Sequence, residues 1–476
     1  MGLYEKLKAY GDSDYYGFHM PGHKRKTGGF ANLYSLDITE VNGFDDLHHP
    51  QKDGILTKAQ EHSAWLYGSG ETHFLINGST AGILSAISAC TKKGGKILAA
   101  RNCHRSVYHG IALGNLDAAY IYPQQECDLW INGSIYPQDV DKALENFPEA
   151  QAVILTSPTY DGICSDVEKI ARIVHRRGIP LLVDQAHGAH FHFHRDFPQD
   201  AVSQGADIVV HSIHKTLPSL TQTALLHVNG DLVDRRRLAM FLSVYQSSSP
   251  SYILMAGIDK CMEFLETQGE EAFDRQVKAL RQFYEDCRTL KRIRLMDENI
   301  RDGKKVWDMD FSRLLFSVKG TPWSGNLLGE RLLREYNLQM EMSTVTYSLG
   351  ISSVADTAEG FERLKNALLE LDKELDSKME KNQEITMTPP EETLTRPHIE
   401  MTISAALDSP LEKILLKNSC GRIAGTFVYQ YPPGIPLLAP GEIITREILG
   451  ILDNQKKGGV EIQGLEEDKQ IYVLKK

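Results

Sequence analysis

The sequence is short of everything that would take it out of water. No apolar run among its 476 residues is long enough to span a bilayer. The opening Met1-Gly-Leu-Tyr-Glu-Lys6 has no apolar core of the kind that marks a secretory signal. Lys6 also stands where a myristoylation motif wants Ser or Thr. Seven cysteines, at 90, 103, 127, 164, 261, 287 and 420, include no C-x-x-C pair or other zinc spacing, so no metal centre is expected. Their odd number and wide scatter read as reduced, mostly buried thiols of a cytoplasmic protein. There is no internal repeat and no low-complexity tract. Positive charge is in deficit, 52 Lys and Arg against 63 Asp and Glu, a net of −11. That disfavours nucleic acid as a partner, because phosphate binding calls for basic patches. A negative field would instead help to gather a cationic ligand. A soluble protein with no membrane and no nucleic-acid partner is expected.

What is present suits a large α/β protein. With 42% hydrophobic residues the chain can build a sizeable core, and at about 150 residues per domain its length suggests roughly three domains. Residues 1–60, rich in Gly, His and Asp, read as an extended N-terminal arm. From 61 to 252 short apolar runs alternate with helical stretches. Strands are expected at Thr72–Ile76, Lys96–Ala100, Ala119–Ile121, Ala152–Thr156, Leu181–Asp184 and Asp207–His211, with a helix over Ala81–Thr91. That alternation predicts a mainly parallel sheet covered on both faces. Residues 253–378 read as a smaller α+β domain, opening on a long helix over 253–290. A second helix follows Asp356-Thr-Ala-Glu359, whose spacing fits a capping box. The charged, proline-ended stretch 379–396 reads as a linker, and 397–476 as a C-terminal α+β domain.

Chemistry collects at the strand ends. Ser212-Ile-His-Lys215-Thr follows the strand Asp207–His211 and offers an amine among hydroxyl and imidazole groups. Buried, such a lysine loses its proton and becomes a nucleophile able to condense with an aldehyde. On that run alone a solvent-facing lysine near a helix start reads equally well. The apolar strand Leu181–Asp184 ends in a carboxylate, where open α/β sheets place their ligands; the lesser alternative, for Asp184 alone, is a helix N-cap. Asn77-Gly-Ser79-Thr80-Ala-Gly82 puts hydroxyls at a helix start, an anion site in kind but not a nucleotide-binding loop of the lysine-bearing type. Asn102-Cys-His104-Arg-Ser106 places an imidazole after another strand, with Ser106 positioned to start the next helix.

In this order, Ser79-Thr80, His104, Asp184-x-Ala186-His187 and Ser212-x-His214-Lys215 resemble the pyridoxal-phosphate enzymes of fold type I. More narrowly, the chain resembles the bacterial ornithine/lysine/arginine decarboxylase family. Three further runs carry that narrower likeness: Phe18-His-Met-Pro-Gly-His-Lys24, Asp37 through His48, and Tyr431-Pro-Pro-Gly-Ile-Pro436 with Pro440-Gly-Glu442. The likeness runs from about residue 15 to the C-terminus, and is to the short members that lack an N-terminal wing domain.

The resemblance implies a fold-type I architecture, pyridoxal 5'-phosphate as cofactor, and decarboxylation of a basic amino acid. It also implies at least a homodimer with each active site shared between subunits. Lys215 would hold the cofactor as a Schiff base, Asp184 would pair with its ring nitrogen, and His104 would stack on one face with Ala186 against the other. His187 would also contact the cofactor. Ser79, Thr80, Ser212 and His214 would hold the phosphate, and Ser248 would reach the phosphate of the neighbouring subunit. A carboxylate should meet the substrate's distal cation, and the candidates are Glu40, Asp45, Asp46, Glu341 and Glu442. Short members of this kind are often arginine decarboxylases, which puts arginine ahead of lysine and ornithine. Two positions depart from the family: Gln185 stands where Glu is usual and Arg105 where Lys is common.

Overall fold

The structure, a computed structural model, describes residues 14–19, 45–126, 128–379, 396–430, 434–457, 461–466 and 469–476. Glu40, most of the two N-terminal motif runs, the proline pair of Tyr431-Pro-Pro433 and nearly all of the expected linker fall outside them.

Seven strands form the central sheet: β1 Glu71–Leu75, β2 Lys96–Ala100, β3 Asp117–Ile121, β4 Ala150–Thr156, β5 Leu181–Asp184, β6 Ile208–His211 and β7 Ala224–Val228. Their order is β1-β7-β6-β5-β4-β2-β3, with only β7 running antiparallel to its two neighbours. Strands β5, β6 and β7 are buried along their whole length, as continuous apolar runs must be when helices cover both faces. Each fully buried Val, Leu or Ile there contributes about 1.5–3 kcal/mol.

Helix α1, Gly78–Cys90, packs on the sheet and starts three residues earlier than the apolar pattern predicts. Its first turn is polar because it faces the sheet's open end, so periodicity does not reveal it. Gly82 lets α1 lie close: a Cβ there would come within 2.6 Å of Leu75. Helix α2, Arg105–Leu113, follows β2.

The smaller domain is built on helix α3, Tyr252–Asp286, and an antiparallel sheet that includes Arg313–Ser317 and Tyr347–Ile351. Its helix Ala358–Met379 differs from expectation at the cap. Thr357 Oγ1 accepts the Gly360 N–H, while Asp356 turns back to the Ser353 N–H and the Tyr16 hydroxyl. The expected arm is also less detached than its composition implies. Tyr16–Phe18 pairs in parallel with Leu338–Met340 of the same chain, Phe18 is fully buried, and a helix already begins at Ile55. The C-terminal part has its own small core around Val428, Leu438, Ile448 and Val473. No helix among the described residues is long and apolar enough to cross a membrane.

Candidate active site

The carboxyl ends of the parallel strands converge. Lys215 sits in a single helical turn, Ile213–Thr216, just after β6. Asp184 ends β5, and His104 follows β2 by four residues. Lys215 Nζ lies 2.9 Å from Nε2 of His187. Burial pushes the lysine down to about 8; Asp184 and Glu341 oppose that shift and Arg313 adds to it. An amine so placed is available unprotonated near neutral pH.

Burial pushes the other groups towards their neutral forms as well. Burial raises the Asp184 carboxyl, against the pull of Lys215 and of the Ala186 N–H, which Oδ1 accepts at 3.1 Å. His104 is pushed down to about 3 by burial, then by Lys215 and Arg105, so its ring is neutral. Its Nδ1 accepts the Ser106 N–H at 3.2 Å, which makes His104 itself the cap of α2. The sequence reading gave that position to Ser106. Burial also holds His187 neutral.

The phosphate candidates fall into two groups. Ser79 and Thr80 occupy the first turn of α1, where backbone N–H groups point outward and no acidic residue competes. Ser212 is fully buried and its Oγ has no partner. His214 Nδ1 donates to Thr223 O at 2.9 Å. Ser248 is exposed in a segment tied down by its neighbours: Gln246 Oε1 accepts the Ile76 N–H, and Ser247 O meets His48 Nε2.

The five candidate carboxylates separate. Glu341 accepts the Tyr160 hydroxyl and lies close enough to Lys215 to raise its proton affinity. Three others make contacts within the framework. Asp45 accepts the Leu56 N–H at the start of the helix Ile55–Tyr67. Asp46 closes a turn on the His48 N–H and the His49 ring. Glu442 is buried in an ion pair with Arg101 at 3.2 Å.

Two residues at the site escape the sequence reading. Arg313, fully buried, donates from Nη2 to His187 O at 2.8 Å and lies 3.3 Å from Asp310. A charge inside the apolar run Arg313-Leu-Leu-Phe was its only signal. Tyr160, whose ring centre is 4.7 Å from that of His187, follows β4 at the same end of the sheet. The strand-end rule that singled out Asp184 applies to it equally.

Pyridoxal phosphate fits these residues. A partnerless buried Ser212 hydroxyl and a partnerless buried His187 Nδ1 await acceptors or donors that the protein does not supply. Beside them stand a carboxyl raised by burial, a neutral imidazole and an amine of lowered proton affinity. Fold and site together define the class, the pyridoxal-phosphate enzymes of fold type I. The serine palmitoyltransferase of Sphingomonas wittichii shares the fold at a TM-score of 0.57 and 16% identity, over 76% of this chain and 88% of that one. The constitutive lysine decarboxylase of E. coli shares more of it, at a TM-score of 0.79 and 20% identity over 99% and 81%.

The sequence narrows the class. The family model described as "Orn/Lys/Arg decarboxylase, major domain" matches residues 1–322, and "Orn/Lys/Arg decarboxylase, C-terminal domain" matches 380–472. The arginine decarboxylase of Bacillus subtilis (strain 168) is 31% identical over 99% of this chain and 97% of its own length. The chain belongs to the Orn/Lys/Arg decarboxylase family.

Proposed function

We propose that this enzyme removes the α-carboxylate of arginine, with pyridoxal phosphate as cofactor, to give agmatine and CO₂. The observation that carries this reading is the Lys215–His187 contact, with Glu341, which accepts the Tyr160 hydroxyl, within electrostatic range of the lysine. The near full-length likeness to an arginine decarboxylase supports arginine over lysine or ornithine.

The bound cofactor supplies an electron sink for the pair left behind when CO₂ departs. Lys215, with its lowered proton affinity, would be the amine that holds the cofactor. Asp184 would serve the ring nitrogen, His104 and Ala186 would contact the ring, and His187 would orient Lys215. The N-terminus of α1 with Ser79, Thr80, Ser212 and His214 binds the phosphate, and Ser248 serves the neighbouring subunit's phosphate. Glu341, oriented by Tyr160, would pair with the guanidinium and so hold the distal end of the substrate. Lys215 or His104 would return a proton to Cα; the neutral His104 ring carries its proton on Nε2, because Nδ1 accepts the Ser106 N–H.

We take residues 61–252 as the cofactor-binding domain, 253–378 as the small domain and 397–476 as the C-terminal domain, joined by a linker at 379–396. The enzyme works as a homodimer or larger homo-oligomer in the cytoplasm, in polyamine biosynthesis. The six described cysteines, all unpaired, accord with that compartment. A side-by-side assay of arginine, lysine and ornithine with product identification tests the reading. Agmatine and CO₂ from arginine are expected. Cadaverine or putrescine as the main product would reassign the substrate, and a keto acid without CO₂ would overturn the decarboxylase.

A further inference from the structure

The Pro/Gly run near the C-terminus takes no part in the chemistry above, yet it grips the loop that carries His104 from both sides. On the near side, the Arg101 guanidinium is 1% exposed, with its donors going to the C-terminal part and to α2. Nη1 donates to Pro436 O at 2.6 Å and to the Tyr108 hydroxyl at 2.7 Å. Nη2 donates to Leu437 O at 3.3 Å and to Glu442 Oε2 at 3.2 Å. Glu442 is itself fixed, because the same oxygen accepts the Ala439 N–H at 2.7 Å.

On the far side, Arg105 donates from its backbone N–H to Gly434 O at 3.1 Å and from Nη1 to the Tyr429 hydroxyl at 2.7 Å. Between these anchors lie only Asn102, Cys103 and His104, and Cys103 N–H is bonded to Ala100 O. The His104 ring is in turn locked to Ser106 in the first turn of α2. The turn that presents Glu442 is equally constrained. Gly441 has φ +88°, and a Cβ there would come within 2.4 Å of Met401 O, so only glycine fits.

We infer that Tyr429 and Glu442 are positioning residues for cofactor binding: through Arg105 and Arg101 they set where His104 stands against the cofactor ring. The inference rests on the pyridoxal-phosphate reading above. It makes the C-terminal domain a part of the cofactor site rather than an appendage. It also gives a role to Arg105 where Lys is common, since its Nη1 bonds the Tyr429 hydroxyl while its guanidinium lies 5.5 Å from that ring's centre.

A merely structural clamp would loosen the protein without acting through His104, so the test is a double-mutant cycle. The rate of pyridoxal-phosphate release from the holoenzyme is followed by visible absorbance for wild type, Tyr429→Phe, Glu442→Gln and His104→Ala, and for each pair with His104→Ala. Each of the first two substitutions is expected to speed release about tenfold, the size of one lost hydrogen bond to a charged group. In the His104→Ala background the same substitutions should change the rate less than about twofold. Equal effects in both backgrounds, or normal release from folded variants, would overturn the inference. If Glu442→Gln fails to fold, Tyr429→Phe decides alone, because it removes one partly exposed hydroxyl. A wild-type chain that takes up no pyridoxal phosphate would sink the functional reading itself, whereas tight wild-type binding with unaffected variants sinks only this one.

Discussion

Lys215 Nζ and His187 Nε2 stand 2.9 Å apart in a space that burial keeps unfriendly to charge. Without cofactor, the lysine is therefore a liability to the fold. Its pKa is about 8 folded against 10.5 ordinarily, so between those values the unfolded chain binds more protons. Stability then rises with pH from about 8 to 10.5, and below 8 the cost is fully present. Lys215→Met in the apoenzyme is expected to unfold about 1–3 kcal/mol less readily than wild type at pH 7. That advantage should fade towards pH 10.5 in denaturant titrations. A constant difference across that window would show that the lysine is not desolvated.

The Ser212 hydroxyl and the Asp184 carboxylate should separate binding from chemistry. Ser212 Oγ is buried with no partner, so its removal costs apoenzyme stability little and cofactor affinity about tenfold. Asp184→Asn keeps the shape but loses the charge that holds a ring nitrogen protonated, and kcat should fall by about 10²–10³ or more. Cofactor titration and steady-state kinetics of the two variants check this. A larger kcat loss for Ser212→Ala than for Asp184→Asn would reverse the assignment.

Glu341→Gln keeps a partner for Tyr160 but removes the charge offered to a guanidinium. KM for arginine is expected to rise about 10–100-fold with kcat changed much less, as the loss of a charge-assisted pair predicts. The discrimination between arginine and an uncharged analogue such as citrulline should narrow with it. An unchanged KM would place the distal-cation site elsewhere, in the neighbouring subunit or among residues 20–44.

The residues proposed for the chemistry are legible because short buried strands announce their own ends, where open α/β sheets place ligands. Lys215, Asp184 and His104 each follow an apolar run by a few residues. What one run cannot show is a partner brought in by folding. Tyr160 and Glu341 meet across 181 residues, and Arg101 and Glu442 across 341. The sequence therefore offers Glu442 as a carboxylate without showing the arginine it pairs with. Arg313 hid for a similar reason, since its role depends on the carbonyl of His187 in another domain.

Gln185, the departure beside Asp184, anchors a buried hydrogen-bond chain whose direction can be deduced. Its side-chain oxygen accepts the Ala201 N–H at 3.0 Å, so that atom must be the oxygen and not the amide nitrogen. His211 Nε2, 2.8 Å away, must then carry a proton. Burial pushes His211 down to about 3, leaving its Nδ1 to accept from His227 Nε2 at 3.1 Å. His227 Nδ1 in turn accepts the Thr72 hydroxyl at 2.8 Å. The chain links β1, β7, β6 and the end of β5 without a net charge, directly behind the turn that bears Lys215. Gln185→Leu strands two buried donors and should cost about 2–4 kcal/mol of stability. Gln185→Glu offers both donors an acceptor, so it should fold, but its negative charge should draw a proton onto His211 near neutral pH. Nitrogen NMR of the histidine rings reads this directly. Wild type should show His211 with Nε2 protonated and Nδ1 bare, and a protonated Nδ1 there would reverse the whole chain.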